Sequence, residues 1–461
     1  MAETAPGGHP ADDPRGLGRG PVRAPGAPRP DDDGGGRVSR TQWKWSALAG
    51  MASYLDAGSI VAIGTGLALF QDEMHLSDSG PTGVGALAAI GPNAIGAAVG
   101  ALVGGRLGDR LGRKRIYQWD LLVYALAVLC IALAVNPAML FAGTFAVGVA
   151  VGADVPTSLA LVGEFSPTRA RGKLLGFTQV AWNIGPMIVL LLALALSHLD
   201  LLGIRIVFLH LVLVAVVTWA LRQGMTESAR WKAAAAGAAA TRVRVRELFH
   251  GAHLRAMLWT GGFYVFWGLA AGTAGLFTPY MVRNLGAGDQ TTSVALSCAG
   301  FVIGIAATVL VYMPFSDRDH LTRRRLWAVG SVTQVISYAI FLWFPFTVPT
   351  ILLNTFLFGV GAALAGEAFY KTFTQELFPT LLRGTAQGLT FGVARACLGV
   401  WSYFVPRLAD AGITAIAALL TAFLVISGCV GFFFMPDTAG KTFDRIQTER
   451  RGPGLPGAEH A

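Results

Sequence analysis

The stretch GGRLGDRLGRKR, Gly104 to Arg115, sets five cationic side chains and one acid between two long apolar runs. The chain is 53% hydrophobic and 14% charged, with a mean hydropathy of +0.54. That is the composition of a membrane protein, in which so dense a knot of charge must lie where the chain meets water.

A bilayer-spanning helix needs about 20 mostly apolar residues. Working outward from the knot, such runs lie near 45–70, 82–104, 117–136, 138–162, 174–198 and 203–222, then near 256–282, 291–313, 326–346, 348–374, 385–407 and 411–434. Of the 36 Lys and Arg, 31 fall in the two tails and the even-to-odd connections. Three (Arg205, Arg283 and Arg407) fall on the other side, and Lys371 and Arg395 fall within spans. That asymmetry predicts cytoplasmic termini in a cell membrane. It assigns the net charge of +9 to topology and anionic lipid rather than to nucleic acid. The Gly-, Pro- and charge-rich residues 1–42 lack an apolar centre, so a disordered tail is expected there and not a secretory signal. Cys130, Cys298, Cys397 and Cys429 each lie in an apolar run and read as small core residues.

The two halves repeat. EFSPTRARG from Glu164 matches ELFPTLLRG from Glu376 at an offset of 212, and Asp109–Arg110 answers Asp317–Arg318 at 208. TESARW from Thr226 has a weaker counterpart in PDTAGK from Pro436 at 210. Three matches in order at one period predict an all-α integral membrane fold of twelve transmembrane helices in two pseudo-symmetric six-helix bundles. The bundles are expected over 43–223 and 255–435, with a middle loop at 224–254, whose Ala run predicts a helix, and a C-terminal tail at 436–461.

These motifs resemble a known family. GRLGDRLGRK is similar to the G-x-L-x-D-R-x-G-R-K signature of the major facilitator superfamily, and the paired E-x-x-P-x-x-x-R-G to that of its sugar porter family. TESARW resembles the family's PESPRW, and PDTAGKTFDRI its PETKG stretch. The resemblance implies alternating access, with a conformational latch formed by Asp109, Arg110, Arg113, Glu164, Arg171, Glu376 and Arg383 and, through the repeat, Asp317 and Arg318. Asp109 would hold the neighbouring bundle through a helix N-terminus while the Arg side chains pair with Glu164 and Glu376. A plainer possibility is that the cluster only orients the chain.

An ionisable group within a span costs roughly 2.5–3.5 kcal/mol, so each is a functional candidate. Five stand out: Asp56, Asp154, Glu367, Lys371 and Arg395. Asp56 matches the first-span acid of proton-coupled bacterial sugar porters, which implies proton coupling; a structural hydrogen-bonding role and a direct substrate contact are the alternatives. The family's partner Arg, twenty residues before Glu164, is here Thr144. Asp154 is open to three readings: a second proton site, an acceptor for a solute hydroxyl, or a packing acid. Glu367 and Lys371, spaced i and i+4, form either a structural pair or part of the substrate site. With Arg395 they could form a self-neutralising triad. Gln179 in FTQVAWN matches a sugar-binding Gln, and Asn183 and Trp267 complete the substrate candidates. Phe266 and Trp267 stand where the family has paired Gln, and Gly272 where it has Asn.

The expected function is secondary transport of a small polyhydroxylated solute, a sugar or a cyclic polyol such as inositol, by proton symport. The alternatives are the same fold carrying a charged solute (a sugar acid, an aromatic acid or a drug-like cation) and a non-transporting solute sensor. An enzyme is not expected, because HExxH, P-loop and GxSxG motifs are missing from any plausible context. No metal and no cofactor beyond a proton gradient is expected, and the chain is expected to act as a monomer among membrane lipids.

Overall fold

The computed structural model describes residues 38–77, 80, 83–237, 245–284, 290–409 and 412–451, with side chains described except at 275–290, 406, 407, 409 and 451. Residues 1–37 of the tail expected over 1–42, part of the middle loop and the last ten residues lie outside this range, and Arg40–Gln42 of that tail belong to the first helix.

Every element in the described residues is helical. The first half holds α1 (Arg40–Met74), α2 (Val84–Ile90), α3 (Ile95–Leu111), α4 (Arg113–Ala132), α5 (Pro137–Phe165), α6 (Arg171–Ala195) and α7 (Asp200–Arg222). A short α8 (Ala229–Gly237) follows, covering the start of the Ala run. The second half holds α9 (Gly251–Asn284), α10 (Gln290–Ala307), a π turn leading into α11 (Met313–Phe315), α12 (His320–Ala339), α13 (Val348–Leu364), α14 (Glu367–Leu377), α15 (Thr380–Ala409) and α16 (Ile413–Phe433). The last is α17 (Phe443–Arg451). Helices dominate because lipid offers backbone amides no partners, so each segment must bond internally. Eleven of the described spans are long and apolar enough to cross a membrane; α9 occupies the remaining place.

In the first half α1 packs on α6, and α5 on α3 and α4; in the second α12 packs on α13 and α16, and α9 on α15 and α16. The halves meet along α3–α15 and α6–α10. Small residues permit the first contact. A Cβ on Gly105 would stand 2.2 Å from the Gly384 carbonyl, and one on Gly388 2.2 Å from that of Ala101. Large apolar side chains such as Leu126, Leu213 and Leu310 point outward, as lipid requires. So do Cys397 and Cys429, which corrects the expectation of four core cysteines.

Three expected features differ. GGRLGDRLGRKR is not a loop: α3 runs through Leu111 and α4 begins at Arg113, joined by Gly112 with φ +97°. Its charges therefore sit on rigid helix ends. The second span breaks at Gly91–Ala94, where Pro92 and its neighbours interrupt the helix, and the tenth breaks at Ala365–Gly366. At the second break Gln334 Nε2 donates to the carbonyls of Gly361 (3.1 Å) and Ala365 (2.7 Å), so irregular backbone inside the membrane is satisfied by protein.

Candidate functional site

On the side that carries the Lys- and Arg-rich connections, called here the basic face, eight charged residues form a two-fold network. Asp109 accepts from the amides of Gly384 (3.1 Å) and Thr385 (2.6 Å) and from the Thr385 hydroxyl (2.6 Å), at the start of α15. Asp317 does the same for α6, accepting from the amides of Gly172 and Lys173, both at 2.8 Å. Each acid meets the positive end of a helix in the opposite half. Gly172 and Gly384 make that approach possible: a Cβ would lie 2.8 Å from the Asp317 carboxylate in one and 2.9 Å from that of Asp109 in the other. That is the physical reason for the R-G ending of both repeats. Arg113 holds Glu164 at 3.1 Å and Arg323 holds Glu376 at 2.8 Å within the halves, while Arg383–Glu164 (3.5 Å) and Arg171–Glu376 (3.4 Å) cross between them. Phe443 of α17 lies beneath the guanidinium groups of Arg171 (3.8 Å), Arg383 (4.2 Å) and Arg230 (4.9 Å).

Beyond this closed face, between the halves, lies a cavity of about 140 Å³. Gln179, Trp182 and Asn183 of α6 face Trp267 of α9, Ser297 and Phe301 of α10, and Asn354 and Phe358 of α13. Among the described residues, no Asp, Glu, Lys, Arg or His lines it. The wall is made of neutral hydrogen-bonding groups set among aromatic faces. Trp267 is fixed by donating Nε1 to Gln334 Oε1 at 2.9 Å, so the glutamine that satisfies the tenth-span break also orients the cavity's largest ring.

The charges form a layer behind that wall. Lys371 donates to Gln179 Oε1 at 2.8 Å and lies 3.5 Å from Glu367. Asp56 accepts from Trp182 Nε1 at 3.3 Å and lies 3.4 Å from Arg395 Nη2. Arg395 also donates to Asn93, in the break of the second span, and lies 4.7 Å above the Phe391 ring. Both pairs are buried and neutral in sum, and the Asp56–Arg395 pair joins the two halves.

The Major Facilitator Superfamily profile matches residues 46–401. The chain belongs to that superfamily. It is 36% identical over 418 residues to the minor myo-inositol transporter IolF of Bacillus subtilis, covering 89% of this chain and 94% of the relative. It is 25% identical over 381 residues to the glucose transporter GlcP of Staphylococcus epidermidis, covering 74% and 82%. Its fold is similar to that of the proton:xylose symporter XylE bound to 6-bromo-6-deoxy-D-glucose, with a TM-score of 0.77 at 17% identity, covering 89% of this chain and 99% of that one. As a Major Facilitator member the chain is a multi-pass membrane transporter of the sugar porter type.

Within this superfamily member, the candidate residues from the sequence separate into three groups. Gln179, Asn183 and Trp267 line the cavity together. Glu367, Lys371 and Arg395 are not among the residues lining it; Arg395 contacts Asp56 and Lys371 contacts Glu367, so the expected three charges are joined by a fourth. The cation that the family pattern placed at Thr144 comes instead from the opposite half. Asp154 lies away from the cavity, 3.1 Å from Arg222. On the basic face Arg110 and Arg318 are exposed; Arg318 stacks on Phe315, and Arg323 takes the place in the network that the repeat had assigned to it. Trp182, Asn93, Gln334, Asp120 and Arg222 went unnoticed in the sequence. Asp120, an acid inside the third span, carried a signal as plain as that of Asp56; the others look like ordinary span residues until the fold pairs them.

Proposed function

We propose that this chain carries a neutral polyhydroxylated solute, a sugar or a cyclic polyol such as inositol, across the plasma membrane by proton symport, with both termini in the cytoplasm. The single observation behind the solute class is the cavity wall. Gln179, Asn183, Ser297 and Asn354 offer neutral donors and acceptors for hydroxyls, and Trp182, Trp267, Phe301 and Phe358 offer ring faces, while every nearby charge is paired behind them. A charged solute would have to open one of those buried pairs. The transporter names carried by IolF and GlcP support the same reading.

The coupling follows from Trp182, which lines the cavity with its ring and donates Nε1 to Asp56. Protonating Asp56 removes its charge and with it the ion pair to Arg395, the buried charge contact between the halves at this depth. Proton loading and solute contact thus act on one side chain pair. The basic-face residues Asp109, Arg113, Glu164, Arg171, Asp317, Arg323, Glu376 and Arg383 form the latch that holds the cytoplasmic side shut. Counterflow exchange in proteoliposomes tests the solute class: myo-inositol, glucose and xylose are offered against glucuronate, an aromatic acid and a lipophilic cation. At least one neutral polyol is expected to exchange and the charged solutes are not. Exchange of a charged solute alone would reject the reading.

A further inference from the structure

A second buried charge cluster lies where α4, α5 and α7 meet, apart from both the cavity and the basic-face network. Arg222 Nη1 donates to Asp154 Oδ2 at 3.1 Å, its Nε and Nη2 donate to the Leu48 carbonyl of α1 at 3.1 and 2.9 Å, and its guanidinium lies 4.3 Å over the Tyr117 ring. Each of the three guanidinium nitrogens thereby has a hydrogen-bond acceptor. Asp120 of α4 lies within side-chain hydrogen-bonding reach of Asp154. Its Oδ1 accepts from the Leu121 amide at 2.6 Å, but its Oδ2 has no donor among the described residues, and neither has Asp154 Oδ1. Asp120, Asp154 and Arg222 are 6%, 3% and 2% exposed.

The charge count does not close. Two carboxylates face one guanidinium, and the principal charges acting on Asp120 are those of Asp154 and Arg222. The principal charges acting on Tyr117, the nearby phenol, are those of Arg222, Asp154 and Asp120, and the Ser158 hydroxyl is a further polar neighbour. The other buried charges on and beside the packed helices are committed elsewhere, while Lys114 and Arg115 lie half-buried and exposed at the start of α4. Asp109, Arg113 and Glu164 belong to the basic-face network, and Asp56 is with Arg395. Arg205 donates to the Ala134 carbonyl at the opposite end of α7. Two carboxyl oxygens without donors, within reach of each other in a membrane interior, need one hydrogen between them.

We propose that Asp120 and Asp154 share one proton, forming a second protonation site of this transporter with Arg222 as its counter-ion. The hydrogen joins the two oxygens that otherwise lack a donor, and the cluster of three becomes neutral. As in other carboxyl dyads, the proton belongs to the pair rather than to either residue. The site lies on the basic-face side of Asp56: Leu48, whose carbonyl holds Arg222, precedes Asp56 on α1 by two turns, about 12 Å. Its part in transport, holding a proton between Asp56 and the cytoplasm, rests on the proton-symport reading above. The existence of the site does not.

Infrared spectroscopy of the full chain in lipid nanodiscs tests it through the carbonyl stretch of a buried protonated carboxylic acid. At neutral pH the wild type is expected to show that band, shifted in D2O. Asp120→Asn and Asp154→Asn are each expected to lose it completely, while Asp56→Asn keeps it. Either carboxyl variant alone suffices should the other fail to fold. No band in the wild type, a band that survives both carboxyl variants, or one lost only in Asp56→Asn would overturn the proposal. So would a band abolished by sodium or potassium, which would make the pair a cation site. Retention of the band where transport proves independent of protons would reject the symport reading and leave the site standing.

Discussion

On the basic face, Asp109, Arg113, Glu164 and Arg171 are matched by Asp317, Arg323, Glu376 and Arg383 at offsets of 208, 210, 212 and 212 residues. Behind the cavity, Asp56 is matched to Arg395 and Glu367 to Lys371, and none of the four has a counterpart in the other half. Apart from the half-buried Asp317 both sets are buried, and both tie the halves together. The device that closes the face is duplicated because each half must grip the other in the same way. The central layer is not: Glu367 pairs with Lys371 within the second half, and Asp56 of the first half pairs with Arg395 of the second.

The largest effects are expected where the duplicated set is broken. Arg113→Ala removes the only paired cation of Asp109 among the described residues and leaves Glu164 with Arg383 alone, and losing one partner of a buried pair costs about 3–5 kcal/mol. Spin labels placed at the exposed positions Arg110 and Arg318, with the four native cysteines replaced, should report a wider separation of the halves. Arg323→Ala should widen it to a similar extent. If only one of the two does so, the two-fold account of the latch fails.

Next in size are Gly172→Ala and Gly384→Ala, each pressing a Cβ against an aspartate of the other half. Overpacking of this kind costs about 1–3 kcal/mol, and the same labels should show partial opening in both. A normal separation in either variant would mean that the aspartate can retreat without releasing the helix end.

Much of this was legible in advance. The twelve apolar runs, the orientation of charge and the duplicated motifs all follow from local composition and a fixed period, because lipid imposes length and the pseudo-symmetry imposes repetition. The central layer was not legible. Arg395 and Asp56 are 339 positions apart and pair only because α15 and α1 face each other across the interface. Trp182 looks like any aromatic in a span until its Nε1 is seen on Asp56, and the helix breaks at Gly91–Ala94 and Ala365–Gly366 interrupt stretches whose hydropathy runs on. Asp154 showed itself as an intramembrane acid, but its partners Asp120 and Arg222 lie on two other helices.

The smallest effect is expected at Gln334→Leu. It removes the hydrogen bond that orients Trp267 and the two that Gln334 gives to the Gly361 and Ala365 carbonyls, but touches neither charged pair. Loss of a neutral hydrogen bond of this kind is worth about 1 kcal/mol, so KM should rise less than tenfold while proton dependence is unchanged. A loss of proton dependence would show that the wall and the charged layer are not separable.

The most direct test of the central claim is accumulation of labelled myo-inositol in proteoliposomes under an inward proton gradient, comparing the wild type with Asp56→Asn. The account predicts that the wild type concentrates a polyol above equilibrium only while the gradient lasts, and that Asp56→Asn merely equilibrates it while still exchanging solute in counterflow. Accumulation by Asp56→Asn equal to that of the wild type, or a wild type that only equilibrates whatever the gradient, would contradict it.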